Sequence, residues 1–511
     1  MNNTIIIIDY GSQYTQLIAR RIRELNVHSI ILPYDFSEKK IKEYNVSGFI
    51  LSGGPSSVYD KAAPYLPSSI FQFNVPVLGI CYGFQLLIEH FDGLVVGSPK
   101  AEYGDANILI NQSSSLLKEI PKETNVWMSH GDKVVELPEK WDVTSKSNND
   151  IIASAENKKL NYYGVQFHPE VMHTVEGEKI IGNFLFKVCK VRPNWNSKNF
   201  INQTIDIIKD KVGNKKVLCA LSGGVDSTVV AVILSKALGD NVTCIFIDHG
   251  MLRKNEAKDV MNMYENSLNL NVELYDKADL FLNALENVTD PEKKRKIIGN
   301  KFIESFENIT KDLDDFDFLA QGTLYPDIIE SGGYAKIADK IKSHHNVGGL
   351  PEKMKLTLIE PINELFKDEV RHVGKELCIS NEFIMRHPFP GPGLAVRILG
   401  KITKKRIRIL QEADFIFINI LKETGYYNKI WQAFAVLLPV KTVGVMGDKR
   451  TYDNVICLRM VNSVDGMTAD WFDLPSEILK TCSSRIVNEV KGVNRVVLDI
   501  TSKPPGTIEW E

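Results

Sequence analysis

The chain has 511 residues, 44% hydrophobic and 24% charged, enough for about three globular domains of about 150 residues each. Its 61 Lys and Arg against 64 Asp and Glu leave a formal net charge of −3, which argues against bulk attraction to nucleic acid or a membrane surface. Seven cysteines without a Cys-x-x-Cys pair argue against a zinc or disulfide framework and fit a reducing cytosol.

Ile5-Ile6-Ile7-Ile8 is too short for a signal-peptide core or a bilayer span and reads as a buried first strand. Residues 14–25 carry Leu17, Ile18, Ile22 and Leu25 at helical spacing. Short apolar runs at 28–32, 48–51 and 75–79, bounded by Gly or Pro, continue an α/β pattern with a largely parallel sheet. Cys81 then stands in Gly79-Ile80-Cys81-Tyr82-Gly83, a strand-to-helix junction of the nucleophile-elbow type. The sharp turn exposes the sulfur, and a helix N-terminus favours the thiolate. A base is required, and Gln166-Phe167-His168-Pro169-Glu170 supplies one. In extended chain His168 and Glu170 share a face, so Glu170 can orient His168 and His168 can activate Cys81.

Together these residues resemble the class I glutamine amidotransferase domain over about residues 1–190. The resemblance implies release of ammonia from glutamine through a cysteinyl thioester. It includes Leu51-Ser52-Gly53-Gly54-Pro55 and implies an oxyanion hole at Gly53 and Tyr82. Trp127-Met128-Ser129-His130-Gly131-Asp132 resembles that family's substrate-side loop, without a catalytic role for His130. The Pro- and Asn-containing stretch Arg192-Pro193-Asn194-Trp195-Asn196 marks the first boundary.

The apolar run 217–221 reads as a strand and 228–238 as a helix ending at Gly239. Between them lies Ser222-Gly223-Gly224-Val225-Asp226-Ser227. Glycines admit close backbone approach, the helix start presents N–H groups, and the serines add hydroxyls, which together suit an anion. A carboxylate beside a phosphate needs a cation between them, so Asp226 reads as a Mg²⁺ ligand. The loop resembles that of the ATP pyrophosphatases, which implies ATP cleavage between the α and β phosphates and adenylation of a substrate oxygen. In that family the end of the next strand lies against adenine, which points to Met251 and Leu252. The basic run at 293–296 opens an amphipathic helix, and Arg295 is the candidate phosphate contact. Residues 318–331 read as a strand end and a polar loop, in which Asp327 and Glu330, three apart, could face the same way on a helical turn and are candidates to hold Mg²⁺ or position the acceptor. Lysines among Gly and Pro at 337–358 read as a basic lid, with Lys342 as its ATP contact.

Residues 324–331, 344–351 and 386–394 look like those of the glutamine-hydrolysing GMP synthases. The resemblance implies a third domain that holds xanthosine 5′-phosphate (XMP) and pairs two chains. By position it assigns Gln432, Arg495, Lys503 and Glu509, alongside Arg295, to that nucleotide. The expected architecture is two doubly wound parallel-sheet α/β domains, 1–190 and 197–387, then a smaller α+β domain, 388–511. In that last part a helix is expected at 407–421, strands at 432–439, 455–461 and 495–500, and a helix over 469–490 interrupted near Pro475. The expected substrates are glutamine, ATP and XMP, with Mg²⁺, in a cytoplasmic homodimer without nucleic-acid or membrane partners. The rivals are another glutamine-fed adenylating enzyme of the NAD or asparagine synthetase kind, a tRNA-thiolating enzyme, and an inactive binding protein.

Overall fold

The computed structural model describes residues 3–111, 114–312, 316–331, 356–446, 448–463 and 468–511. It divides into two compact units, the first running to Phe200 and the second beginning at Ile201.

The first unit is built on a nine-stranded sheet. Its strands are β1 (Asn3–Asp9), β2 (His28–Pro33), β3 (Asn45–Leu51), β4 (Val77–Ile80), β5 (Leu94–Ile110), β6 (Glu123–Glu136), β7 (Asp142–Ser147), β8 (Ile152–Asn157) and β9 (Tyr162–Val165). They lie in the order β2-β1-β3-β4-β9-β8-β7-β5-β6. The first five of that order pair in parallel. Ile5 to Ile8 of β1 are fully buried, as a central strand covered on both faces requires. The remaining strands pair antiparallel, so the sheet is mixed rather than largely parallel. The long hairpin of β5 and β6 alternates polar and apolar residues, and it is not visible as an apolar run.

The helix Tyr82–His90 starts directly after Cys81 and lies tight against β3. A Cβ on Gly83 would stand 2.3 Å from the Leu51 carbonyl oxygen, a backbone atom with nowhere to go. Gly83→Ala is therefore expected to cost about 3 kcal/mol or more, seen as a lowered thermal midpoint.

The second unit carries two sheets. One is fully parallel: β10 (Val217–Leu221), β11 (Val242–Asp248), β12 (Val272–Asp276), β13 (Phe318–Ala320) and β14 (Thr357–Ile359), in the order β12-β11-β10-β13-β14. The other contains β15 (Gln432–Met446), β16 (Lys449–Asn462), β17 (Asp470–Trp471) and β18 (Val493–Asp499). There β16 is flanked by antiparallel β15 and parallel β18 and also pairs with β17. The helix expected over 469–490 is a short strand followed by a helix at Ser476–Glu489, because Pro475 sits at the N-cap instead of inside the helix. One hydrophobic core joins both sheets. Leu218, Ile245 and Leu319 belong to it, as do Leu394, Ile398, Leu410, Phe417, Ile456 and Leu458.

Among the described residues no helix is long and apolar enough to cross a membrane, and all seven cysteines are free.

Candidate active sites

Cys81 joins β4 to the helix Tyr82–His90 with φ of 52°, a left-handed conformation that costs a non-glycine residue energy. Three backbone bonds hold it there. Its N–H donates to the Val165 carbonyl at 2.8 Å, and its carbonyl accepts the Phe84 and Gln85 N–H groups at 3.1 Å each. The turn carries the sulfur beside His168, near enough to help raise the pKa of its ring. His168 Nδ1 lies 2.7 Å from Glu170 Oε1, with Glu170 completely buried. The structure thus brings Cys81, His168 and Glu170 together in the chemical order read from the sequence.

Burial alone would lower the His168 pKa. The Glu170 charge and the bonds to Cys81 and Glu170 outweigh it, and the net value is well above the usual 6.5. A raised folded-state pKa stabilises the fold fully below the unfolded value, and that contribution fades as pH rises through the folded value. Glu170→Gln removes the charge and leaves burial dominant. Glutamate release from glutamine is expected to fall by about 10²-fold or more, measured as initial rate.

Gly53 follows β3, and a Cβ there would lie 3.0 Å from His168 Cε1 and 3.8 Å from Cys81 Cβ. Its backbone therefore borders the sulfur, as does that of Tyr82, the first residue of the helix. Neither N–H donates to another described residue, so both can receive a developing oxyanion. His130 is buried, its Nδ1 2.9 Å from the Asp132 carbonyl and its Nε2 3.4 Å from Glu102, and burial lowers its pKa. Two polar contacts to Cys81 carry no assignment from the sequence. The Ser129 carbonyl lies 3.6 Å from Sγ, and Gln166 Nε2 lies 3.7 Å from it.

In the second unit, Gly224 caps the helix Val225–Leu238 and Gly223 has φ of 74°, so the loop 222–227 turns tightly into the helix start. Ser227 Oγ accepts the Ser222 N–H at 3.1 Å and donates to the Gly224 carbonyl at 3.2 Å, which fixes the loop. Asp226 is gripped by Lys367 Nζ at 2.7 and 2.6 Å. Lys367, 141 residues away, was not singled out from the sequence, where it is one lysine among many. It brings a cation to the loop.

The other expected contacts are placed as follows. Met251 and Leu252 are buried, Met251 in the shared core, so an adenine contact from this stretch falls to backbone or neighbours rather than to the Met251 side chain. Asp327 accepts the Leu324 N–H at 3.0 Å from the first turn of the helix Tyr325–Ser331, on which Glu330 also lies; this segment is helix where a polar loop was expected. Lys342 lies outside the described residues.

The candidate nucleotide-holding residues divide. Gln432 Nε2 donates to Glu509 Oε1 at 2.9 Å, so these two are brought together. Glu509 is also held bidentately by Arg397, at 3.0 and 2.7 Å. Arg397 is completely buried, with its guanidinium 4.0 Å from the Phe434 ring centroid and 5.2 Å from that of Phe389. The sequence reading passed over Arg397, which follows the 386–394 stretch that was used. Arg295 contacts the Glu511 backbone oxygen, while the buried Lys294 binds the Glu511 side chain and the carbonyls of Ala395 and Ile398. Residues 509 and 511 are thereby tied down. Lys503 exchanges backbone bonds with Ala469. Arg495 is exposed on β18 and its Nε reaches Thr442 Oγ1 at 3.4 Å, away from the Gln432–Glu509 group.

Comparison with known proteins gives three family matches. The model described as glutamine amidotransferase class-I matches residues 6–188, that of NAD synthase matches 196–302, and that of the GMP synthase C terminal domain matches 419–510. Proteins named GMP synthase (glutamine-hydrolyzing) from Pelodictyon phaeoclathratiforme and Chlorobium chlorochromatii are each 55% identical to this chain, over 99% of it and 100% of their own length. The protein of that name from Thermosipho melanesiensis is also 55% identical, over the same shares.

Proposed function

The chain belongs to the glutamine-hydrolysing GMP synthases, and from that premise we propose that it aminates XMP to GMP, with ATP consumed and glutamine as nitrogen donor. The observation that carries the reading is identity of 55% along essentially the whole chain, with the Cys81–His168–Glu170 set and the Asp226 loop both complete.

In the first unit His168 takes the thiol proton and Cys81 Sγ attacks the glutamine carboxamide carbon. The N–H groups of Gly53 and Tyr82 receive the oxyanion. His168, oriented by Glu170, returns that proton to the departing ammonia, and water releases glutamate from the thioester.

In the second unit, loop 222–227 holds the β and γ phosphates through backbone N–H groups and the hydroxyls of Ser222 and Ser227. The XMP 2-oxygen attacks the α phosphate and pyrophosphate leaves. Ammonia then attacks carbon 2 of the base and displaces AMP. Among the described residues no cluster of three His, Cys, Asp or Glu is poised for a metal. Asp226, partly exposed at the start of the helix that follows the loop, is the residue that would hold Mg²⁺. Bound there, Mg²⁺ supplies charge neutralisation for the phosphates. Lys367, beside Asp226 at the loop, would add a positive charge for the phosphates. Lys342, Met251 and Leu252 border ATP, while Asp327 and Glu330 position the acceptor or the metal. Arg295 and Lys503 serve the XMP phosphate, and Gln432 and Glu509, set by Arg397, its base or ribose, while Arg495, apart from them on β18, falls outside this set.

The parts 1–190, 197–387 and 388–511 act as glutaminase, adenylating and nucleotide-holding domains of a cytoplasmic enzyme. A homodimer is supported by exposed apolar residues on the last sheet: Val443, Val445, Tyr452 and Val497.

The test is product analysis with Mg-ATP, XMP and either glutamine or an ammonium salt. GMP and AMP from both nitrogen sources are expected. GMP from neither would overturn the acceptor assignment.

A further inference from the structure

Gln166 is completely buried, and its amide is oriented by its neighbours. Gln85 Nε2 donates to the Asp132 carbonyl at 2.9 Å and to Gln166 Oε1 at 3.3 Å. A primary amide has two donor hydrogens, so these two bonds account for those of Gln85 and mark Gln166 Oε1 as an acceptor. The Gln166 NH₂ group is thereby turned the other way, to Cys81 Sγ at 3.7 Å.

The sulfur has a second polar neighbour of opposite character. The Ser129 carbonyl, 3.6 Å away, can only accept a hydrogen bond, so it favours the thiol. The Gln166 N–H can only donate there, so it favours the thiolate. The titratable groups around them are His168 with Glu170 behind it, and His130 with Glu102 behind it.

We propose that Gln166 is a positioning residue of the glutaminase: its amide, latched by Gln85, donates to the Cys81 sulfur and competes with the Ser129 carbonyl, to which the thiol donates, so that the sulfur is stabilised as it becomes the nucleophile. The proposal rests on the reading of Cys81 as nucleophile. It adds a neutral donor to the charge of His168, acting on the sulfur before it attacks and again when hydrolysis of the thioester returns it as the leaving group.

The test is the pH dependence of Cys81 alkylation by iodoacetamide in the full chain, read by mass spectrometry of the Cys81 peptide. Wild type is compared with Gln166→Met, which keeps the shape and loses the donor, and Gln166→Glu, which puts a carboxylate against the sulfur. The midpoint is expected to rise by about one pH unit in the first and by more in the second. Glutamine turnover should fall about tenfold in Gln166→Met with KM changed less than about twofold. Thermal melting identifies a variant that fails to fold, and Gln166→Asn, a shorter amide, then takes its place with a smaller rise expected. A midpoint that stays within about 0.3 unit of wild type in folded variants would overturn the proposal and leave Gln166 a packing residue. That failure is distinct from loss of the nucleophile assignment, which would appear as glutamine hydrolysis persisting in Cys81→Ala.

Discussion

Replacing Cys81 by alanine is expected to lower glutamine hydrolysis by about 10⁴-fold or more while GMP formation from ammonium salt continues. The split follows from the nucleophile lying in the first compact unit and the phosphate loop in the second. The variant should stay folded, because alanine fits the space of a residue that is 5% exposed and keeps the backbone bonds to Val165, Phe84 and Gln85. Alanine also keeps the strain of a positive φ. Cys81→Gly, equally inactive, relieves it and should melt higher than Cys81→Ala, by about 1 kcal/mol of stability. Rates of glutamate release with each nitrogen source and paired melting curves check both statements. Ammonium-fed synthesis lost together with hydrolysis would refute the division of labour.

Asp226→Asn is expected to abolish synthesis from both nitrogen sources, by about 10²- to 10³-fold. The structural cost is small by comparison. The Asp226–Lys367 pair is 25% and 41% exposed on its two sides, and partly exposed pairs of this kind contribute about 1 kcal/mol or less. A thermal midpoint near that of wild type with adenylation gone would therefore assign the loss to phosphate and metal handling. Pyrophosphate release measured in the presence of XMP, without any nitrogen source, isolates that step. Unchanged pyrophosphate release would remove Asp226 from the reaction.

Both predictions rest on short motifs, which explains why these centres were legible from residues alone. Gly79 to Gly83 and Ser222 to Ser227 each encode a complete strand-to-helix turn within six residues, and the chemistry lies inside the turn. Other parts of the sites come from distant chain. Arg397 meets Glu509 across 112 residues and Lys367 meets Asp226 across 141. A single cation has no local signature, so only folding reveals its partner. Gln166 stood inside a motif already in use, yet its role depends on Gln85, 81 residues earlier. The parallel strands were legible because burial on both faces makes them apolar runs. The hairpin of β5 and β6 was not, because its alternating pattern resembles polar loop. At the far end, Pro475 was read as an interruption when it is the start of a helix.

The shared core of the second unit bears on where such a gene tolerates being divided. Leu394, Ile398, Leu410 and Ile456 complete the same apolar interior as Leu218, Ile245 and Leu319. Separate translation of the residues on either side of 388 would leave each product with an uncovered oily face and a tendency to precipitate. Division close to residue 200 falls at the boundary between the two compact units. Fission into independently encoded subunits, or exchange of one nitrogen-donating module for another, therefore has one natural seam in this polypeptide rather than two.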